Sequence, residues 1–403
     1  MARKRMIHIN ILLLLLLGGA VLSGCSSTNT SDTVKSRADS LAGRELKSLA
    51  VTPSASPSPS AAPAPQVQAV PQKPAKKQDV KGIYVSAWSA VGRKLDGLIQ
   101  LVETTDLNAM VIDMKNDSGQ ITYASTIPLV NRIGANSNRV IPDVKALLQR
   151  LKSKNIYTIA RVVVFKDPYL SGKRGDLAMK SKSGKVWRDK KGIAWVDPFK
   201  SEVWDYNIAV AKEAAALGFD EIQFDYVRFP ENGKRLDQEV RFDNPQQWSK
   251  AQAIESFLKR AQDQVGPSAY LSADVFGLTT SSNDDMGIGQ DWMKMSKEVD
   301  FISPMLYPSH YASGVYGVKH PDLQPYAIIR KAVSDGKAKN AQLAQAAAPA
   351  ADIRPWFQDF TATWIKPHKK YGPGDVREQI KAAREQGVNQ FLLWNSTSTY
   401  TYQ

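Results

Sequence analysis

An aspartate near the end of an apolar segment is the first candidate for chemistry in this chain. Asp225 lies in residues 221–230, which the Ile, Phe, Tyr and Val content predicts to be a buried strand closed by Pro230. Burying an unpaired carboxylate costs several kcal/mol, so Asp225 needs a partner or a function. A salt bridge with Arg228 is the structural alternative, but a spacing of three places the two side chains on opposite faces of a strand.

Asp274 is the second candidate carboxylate, because it lies in residues 269–277, which we predict to form the next strand. Cleavage of a glycosidic bond needs one carboxylic acid to protonate the leaving oxygen and a second carboxylate as nucleophile or as base for water. Asp225 and Asp274 on neighbouring strands can form such a pair. The alternative for Asp274 is a hydrogen bond in the core beside Ser272, which shares its face.

Aromatic and polar side chains recur at the ends of the other predicted strands. Aromatic rings pack on the C–H faces of sugars, and sugar hydroxyls need hydrogen-bonding side chains. We therefore predict a sugar-binding floor, with ordinary core packing as the alternative for each single residue, formed by Trp88, Tyr307, Trp356 and Trp394. The hydroxyls are assigned to Asp113 and Lys115, which a regular strand places on one face, and to Gln358. Arg161 or Arg228 is expected to keep Asp225 ionised.

These residues fall on an alternation of strands and helices. The predicted strands cover residues 82–88, 109–115, 157–165, 221–229, 269–277, 300–307, 353–360 and 390–395. The predicted helices cover residues 95–107, 142–154, 201–217, 245–265, 291–298, 323–334 and 375–386. Eight such repeats predict a (β/α)8 TIM barrel with enlarged βα loops, whose site lies at the carboxyl ends of the strands. A doubly wound sheet is the alternative, but residues 86–92 lack its glycine-rich phosphate loop.

Composition limits the classes of partner. The 403-residue chain has a net charge of +14 and an apolar fraction of 43%, which supports a sizeable core. A basic excess fits nucleic acid, an anionic membrane or acidic cell-wall polymers. The basic groups at 73–77, 180–191 and 366–370 are short, so we interpret them as solvated faces or linker and expect no nucleic-acid partner.

The N-terminus resembles a bacterial lipoprotein signal. A basic start is followed by an apolar stretch at residues 9–17 and then by Leu-Ser-Gly before Cys25. The resemblance implies cleavage before Cys25 and a lipid on its thiol. An ordinary cleaved signal is the alternative. Cys25 is the only cysteine, so no internal disulfide is possible.

Three regions follow from this organisation. Residues 1–24 are predicted to be the signal peptide, and residues 25–79 the lipidated N-terminus and a disordered tether rich in Pro, Ser and Ala. Residues 80–403 are predicted to form the barrel. We expect an extracytoplasmic protein anchored to a bacterial membrane through its lipid.

Other chemistries have little support. The four histidines form no metal-binding pair at helical spacing, and neither a serine nucleophile elbow nor a phosphate loop occurs. Asp113 and Asp117 are only weak candidates for a hard cation. We expect neither a metal nor a cofactor.

The segment GFDEIQFDYVRFP at residues 218–230 resembles the bacterial putative glycoside hydrolase domain family, and the similarity extends over residues 80–402. Further matching segments are residues 81–84, 111–115, 196–198, 202–206 and 354–360. The resemblance implies a (β/α)8 glycosidase fold related to the α-amylase and α-galactosidase groups.

The resemblance also implies roles for single residues. In α-amylase-type barrels the nucleophilic Asp ends strand four and the acid ends strand five, which correspond here to Asp225 and Asp274. The acid is usually Glu, so Asp274 departs from the pattern, and Asp359 on strand seven is the competing partner. The predicted function is a glycoside hydrolase with a two-carboxylate, retaining mechanism. The alternative is an envelope lipoprotein that binds a glycan on a degenerate barrel without cutting it, and a third possibility is a scaffold whose basic surface binds anionic polymers.

Overall fold

A computed structural model describes residues 73, 75–76, 79–231 and 233–402. The predicted signal peptide, Cys25 and nearly all of the predicted tether lie outside these residues. Among the described residues, no helix is long and apolar enough to span a membrane.

Within this part of the chain, eight parallel strands form a closed barrel. They are β1 (Lys81–Val85), β2 (Ala109–Lys115), β3 (Tyr157–Val163), β4 (Glu221–Asp225), β5 (Tyr270–Phe276), β6 (Phe301–Leu306), β7 (Trp356–Gln358) and β8 (Phe391–Trp394). Each strand pairs with the next, and β8 pairs with β1 through Lys81 opposite Phe391, which closes the ring. The predicted TIM barrel is confirmed.

Helices surround the barrel. They are α1 (Gly92–Thr104), α2 (Pro128–Ile133), α3 (Val144–Lys152), α4 (Pro168–Lys173), α5 (Ser201–Leu217), α6 (Gly233–Glu239), α7 (Lys250–Val265), α8 (Trp292–Met295), α9 (Pro325–Gln345) and α10 (Pro373–Arg384). Short 3-10 turns lie at Gly277–Thr280, Pro308–His310, Val315–Gly317 and Pro321–Leu323. Local sequence sets several of the ends: α7 begins at a capping box of Ser249 and Gln252, and α5 ends at Gly218 with a φ of 109°.

Strand alternation divides the apolar residues into two cores. Val111 and Ile159 point into the barrel, together with Tyr84, Tyr157 and Trp356. The intervening residues of the same strands point outward against the helices. Polar residues of the inner face therefore lie on the barrel axis, and those near the carboxyl ends of the strands can meet.

A β-bulge interrupts β2. Asp113 lies opposite Arg161 of β3, but Lys115 lies opposite Val162, so two residues of β2 advance the register by only one. Met114 packs in the outer core, and Lys115 also faces outward because of the extra residue. The predicted shared face of Asp113 and Lys115 is therefore wrong.

Three strands depart most from their predicted ranges. β1 stops at Val85, which leaves Trp88 in the following turn. β4 stops at Asp225 because Tyr226 adopts a φ of 49°, outside the strand region. The predicted seventh strand is split in two, since Asp352–Ile353 pairs with the start of β6 and the strand resumes after Pro355 as β7.

A basic insertion follows β3. Antiparallel bridges link Ala178 to Val196, Lys180 to Val186 and Arg188 to Ala194. The short strand Lys180–Ser181 pairs with Val240–Arg241, in the connection after β4. The loops after β3 and β4 are thus joined at the carboxyl end of the barrel.

Two lysines ahead of β1 contact the opposite, amino-terminal end of the barrel. Lys73 Nζ lies 3.0 Å from Asp300, just before β6, and Lys76 Nζ lies 2.7 Å from Asp352. Both lysines fall within the predicted tether, so this part of the segment contacts the barrel.

Candidate active site

Four charged side chains from neighbouring strands lie near the carboxyl end of the barrel interior. They are Asp113 of β2, Arg161 of β3, Asp225 of β4 and Asp274 of β5. All four are almost completely buried, with 7% of Asp225 and 2% of Asp274 exposed. Buried charges at this density require defined partners.

Arg161 is the shared cation of the cluster. Its Nη1 donates to Oδ1 of Asp113 at 2.7 Å, while Nε and Nη2 donate to Oδ2 of Asp225 at 2.9 and 2.5 Å. Nη1 and Nη2 also lie 3.3 Å from Oδ2 of Asp117. Its guanidinium is engaged by these protein carboxylates, so Arg161 orients them and has little capacity left to bind a sugar hydroxyl.

Asp225 is held at both carboxylate oxygens. Oδ2 accepts from Arg161, and Oδ1 accepts from the backbone N–H of Tyr226 at 2.6 Å. Tyr226 itself adopts a left-handed backbone conformation, with a φ of 49°. Charge-assisted hydrogen bonds of this kind favour an ionised, fixed carboxylate, as a nucleophile requires.

Arg228 does not pair with Asp225. It donates to Oε1 of Glu231 at 2.9 Å and to the carbonyl of Phe229 at 3.1 Å. Of the two predicted cations, Arg161 is therefore the one that contacts Asp225. Arg228 lies at the rim instead, with its guanidinium 5.0 Å from the ring centre of Tyr226.

Asp274 is the candidate proton donor. Burial and the negative charge of Asp225 raise the pKa of Asp274 well above its usual range. Nε1 of Trp356 donates to Oδ1 of Asp274 at 2.7 Å, and this hydrogen bond opposes the rise in pKa without cancelling it. Asp274 bonds to Trp356 rather than to Ser272, whose hydroxyl donates to Glu221 at 2.5 Å.

Tyr307 lies beside both carboxyl groups. Burial raises the pKa of the Tyr307 hydroxyl well above its ordinary value, and the charges of Asp274 and Asp225 raise it further. The phenol therefore stays protonated and can act as a hydrogen-bond donor.

Asp113 accepts a second hydrogen bond from a residue that the sequence analysis did not assign to the site. The hydroxyl of Tyr84 donates to Oδ2 of Asp113 at 2.6 Å. Burial raises the pKa of Asp113, although Arg161 and Tyr84 both oppose that rise. Side chains alternate between the two faces of a strand, and this alternation places Tyr84 on the inner face of β1. The alternation was the signal that could have identified Tyr84 as a site residue.

The predicted aromatic floor divides into exposed and buried members. Trp88 is 57% exposed. The half-buried Trp394 lies against Tyr84, with ring centres 4.3 Å apart, and its ring centre lies 5.5 Å from the guanidinium of Arg161. Trp356 is buried and holds Asp274, so its ring is not an open platform.

Lys115 lies outside the site, contrary to the prediction. Its Nζ lies 2.7 Å from Oδ2 of Asp167 and 2.8 Å from both Oδ1 of Asn207 on α5 and the carbonyl of Val163. Burial lowers the pKa of Lys115 and raises that of Asp167. The pair fastens the barrel wall to α5 and does not reach a substrate.

Gln358 and Asp359 are also occupied within the protein. Gln358 accepts from the N–H of Ser309 at 3.1 Å and donates to Asp322 at 3.1 Å, so its amide is not free for sugar hydroxyls. The Asp359 carboxylate accepts from the hydroxyl of Thr401 at 2.6 Å and from its backbone N–H. Asp359 fixes the C-terminal segment, which weakens its case as the acid.

Lys166 and Asp117 complete the rim and were missed as binding residues. Lys166 Nζ lies 3.3 Å from Oδ1 of Asp117 and donates to the hydroxyl of Tyr226 at 3.2 Å. Asp117 and Lys166 lie two and three positions after the ends of β2 and β3, which was a usable signal. Among the residues that the structure describes, no cluster of His, Cys, Asp and Glu is arranged to hold a metal ion.

Comparison with known protein families matches residues 82–400 to the family described as "Putative glycosyl hydrolase domain". The chain belongs to this family. Because the match spans nearly the whole barrel, it confirms the resemblance found in the sequence. A glycosyl hydrolase domain on a TIM barrel supports a glycosidase. A comparison with curated proteins found no match.

Solved structures similar to this glycosyl hydrolase domain include a hypothetical protein from Ruminiclostridium thermocellum ATCC 27405, at 38% identity and a TM-score of 0.44. That match covers 51% of this chain and 98% of the other. An α-galactosidase from Thermus thermophilus, solved with stachyose, matches at 13% identity and a TM-score of 0.48, over 83% of this chain and 64% of that enzyme. The glycoside hydrolase domain of PelA from Pseudomonas aeruginosa matches at 9% identity and a TM-score of 0.43, over 79% and 96% of the two chains.

Proposed function

We propose that this protein is a retaining glycoside hydrolase that acts on an extracytoplasmic poly- or oligosaccharide. The observation that carries the proposal is the contrast between two aspartates on adjacent strands. Asp225 is bound by a guanidinium and a backbone N–H, whereas Asp274 is buried with a raised pKa. One carboxylate and one carboxylic acid in the same site are the two groups that glycosidic cleavage needs.

In the first step, a carboxylate oxygen of Asp225 attacks the anomeric carbon. Asp274 transfers its proton to the glycosidic oxygen, so the bond to the leaving sugar breaks and a glycosyl ester forms on Asp225. Adjacent strands are about 4.8 Å apart, which suits the separation of about 5–5.5 Å between carboxyl groups in retaining enzymes.

In the second step, the deprotonated Asp274 removes a proton from water, and the oxygen of that water attacks the same anomeric carbon. The ester bond to Asp225 breaks, which releases the sugar and regenerates both carboxyl groups. Arg161 holds Asp225 in position throughout. The phenol of Tyr307, which stays protonated, is placed to bind a substrate oxygen between the two aspartates.

The proposal includes export from the cytoplasm, which the resemblance of the N-terminus to a lipoprotein signal supports. A lipid on Cys25 would hold the enzyme at a bacterial membrane, with glycans of the envelope or matrix within reach. Trp88 and Trp394 would provide the aromatic surface on which sugar rings pack.

The deciding experiment uses the full chain with a panel of bacterial envelope polysaccharides and exopolysaccharides. Products are identified by mass spectrometry, and the anomeric form released first is read by NMR. We expect products that retain the anomeric configuration and that disappear in Asp225→Asn and in Asp274→Asn, while Asp359→Asn keeps measurable activity.

Two results would overturn the proposal. Hydrolysis that survives Asp225→Asn would exclude Asp225 as the nucleophile. Tight binding of a glycan in the panel without products, unchanged by Asp225→Ala and Asp274→Ala, would instead identify a glycan-binding module on a degenerate barrel.

A further inference from the structure

The insertion after β3 carries a dense positive charge. Residues 180–191, named the basic hairpin here, contain six basic side chains and a single acidic one. Its bridges join Lys180 to Val186 and Arg188 to Ala194, so the segment forms two successive antiparallel turns. The second turn, residues 189–192, is called the hairpin tip here. The charge is therefore held on a structured element beside the site.

Most of this charge has no partner in the protein. Among the described residues, no carboxylate lies within ion-pair distance of the hairpin lysines, which are Lys180, Lys182, Lys185, Lys190 and Lys191. Arg188 donates to the carbonyl of Gly192 at 2.9 Å, and Asp189 is engaged by Trp195. Lysines this close together repel one another, so an anion bound among them would lower the energy of the folded protein.

The hairpin is attached to the mouth of the candidate active site. Nε1 of Trp195 donates to Oδ2 of Asp189 at 3.0 Å, which fixes the hairpin tip to the Trp195 ring. That ring lies 6.0 Å from the ring of Tyr226 and 5.3 Å from the guanidinium of Arg228. Tyr226 directly follows Asp225, so a short chain of contacts joins the basic tip to the nucleophile.

Other cations lie on the same rim. Lys166 donates to the hydroxyl of Tyr226, and Arg228 lies over the same ring. Burial lowers the pKa of Lys191, and Lys166 and Arg228 lower it further, against the opposing charges of Glu231 and Asp189. Lys191 is therefore close enough to both cations to interact with them. The hairpin and the rim together carry eight basic side chains, six on the hairpin with Lys166 and Arg228, against four acidic ones, Asp117, Asp189, Glu231 and Glu239.

We propose that the substrate is an acidic polysaccharide, whose carboxylate-bearing sugar units lie along the basic hairpin while a glycosidic bond enters the site. This inference rests on the proposed glycosidase function, because it names the substrate class of the same site. The aromatic side chains Trp88 and Trp394 at the same end of the barrel favour a glycan over other polyanions.

Binding is tested separately from cleavage. The full chain carrying Asp225→Asn is titrated with polygalacturonate, alginate and hyaluronate, and with the neutral polymer obtained from each by carboxyl reduction. We expect at least one acidic polymer to bind at least about tenfold more tightly than its reduced form. We also expect the preference to disappear near 1 M salt, where the Debye length is about 3 Å.

The hairpin is tested with a matched pair of variants. Lys190→Gln/Lys191→Gln removes two charges at the tip, and Lys145→Gln/Lys212→Gln removes two exposed charges from α3 and α5. We expect the tip variant to bind the acidic polymer about fivefold more weakly, and the helix variant to bind like the parent. Equal weakening by both variants, or equal affinity for acidic and neutral polymers, would overturn the proposal.

The outcomes also separate this inference from the proposed function. One outcome is that an acidic polymer binds in a salt-sensitive way that depends on the tip lysines, but the chain that retains Asp225 does not cleave it. This outcome would support the inference and count against a hydrolase. Cleavage of a neutral glycan that is unaffected by the tip variant would support the hydrolase and overturn the inference.

Discussion

The indole N–H of Trp356 donates to a carboxylate oxygen of Asp274 across 2.7 Å, although 82 positions separate the two residues in the chain. The contact assigns Trp356 a chemical role in place of the expected role as a sugar platform. A hydrogen bond to a carboxylate stabilises its charged form, so Trp356 limits how far burial raises the pKa of Asp274. Trp356 is therefore a positioning and tuning residue for the proposed acid.

Replacement of Trp356 by Phe is expected to move the alkaline limb of the pH–rate profile. The variant keeps an aromatic ring but loses the N–H, so the carboxylate of Asp274 is less stabilised and its pKa rises further. The acid then stays protonated to higher pH, and the alkaline limb of kcat/KM shifts upward.

The control for this profile is Trp394→Phe. Trp394 lies 5.5 Å from the Trp356 ring, but no hydrogen bond joins it to Asp274. We expect its alkaline limb to stay in place. A limb that stays fixed or moves downward in Trp356→Phe would show that the indole N–H does not tune the acid.

Arg161→Lys should reduce activity strongly although it conserves the charge. An ammonium cannot reproduce the guanidinium fork that holds Asp113 and Asp225 together. We expect kcat/KM to fall at least about a hundredfold, or roughly 2.7 kcal/mol. Arg174→Lys is the matched control, because Arg174 also joins two carboxylates, those of Asp176 and Glu202, but at the surface. Equal activity of the two variants would remove Arg161 from the site.

Lys115→Met should destabilise the fold without a specific effect on substrate binding. The change leaves the buried Asp167 unpaired, which costs about 3–5 kcal/mol in the free energy of unfolding measured with denaturant. Lys115→Met/Asp167→Asn should recover much of that loss, because Asn retains an oxygen for the N–H of Leu170. A variant of unchanged stability but raised KM would return Lys115 to the site.

Trp88→Ala should weaken substrate binding while the rate of the bound complex stays the same. Loss of an exposed aromatic contact worth about 0.5–1.5 kcal/mol raises KM by roughly 2- to 13-fold. Stability should change by less than about 0.5 kcal/mol, because removal of an exposed ring opens no cavity. Trp88→Phe should retain most of the affinity. An unchanged KM in Trp88→Ala would show that the substrate does not reach this ring.

Strand and helix bounds were predicted well where runs of apolar residues and a terminal glycine define them locally. β2 and α5 match their predicted ranges to the residue, since seven buried residues mark the strand and Gly218 ends the helix in the left-handed region. α9 was predicted to stop at residue 334 but continues to Gln345. Gly336 within it packs against Trp292, where an added Cβ would lie 3.2 Å from the ring, so the glycine is a packing residue and not a stop signal.

The departures arise where tertiary contacts override local preference. Nothing in the sequence Asp225-Tyr226-Val227 indicates a positive φ, yet Tyr226 adopts one while its hydroxyl accepts from Lys166, a residue 60 positions away. The bulge in β2 is equally hidden, because Met114 and Lys115 also fit a regular strand. These two features ended β4 early and removed Lys115 from the site.

Alternation along strands predicted which side chains point inward, so the carboxylates and Arg161 were found. It could not predict which of them form pairs. The Tyr84–Asp113 hydrogen bond joins residues 29 positions apart and depends on the pairing of β1 with β2. Asp359 and Asp274 are both strand-end aspartates and cannot be distinguished by sequence. Only the hydrogen bond that Thr401 donates to the Asp359 carboxylate shows that Asp359 is engaged within the protein.

The bulge in β2 keeps two opposite charges in separate compartments. Asp113 faces the axis with Arg161, and Lys115 is sealed behind the barrel wall with Asp167. A regular strand of the same sequence, without the bulge, would turn Lys115 to the inner face and bring its ammonium into the space beside Asp113. That ammonium would compete with Arg161 for the carboxylate and leave Asp167 without its counterion. The bulge in this strand, as much as the identity of its residues, therefore maintains the ionic balance of the barrel.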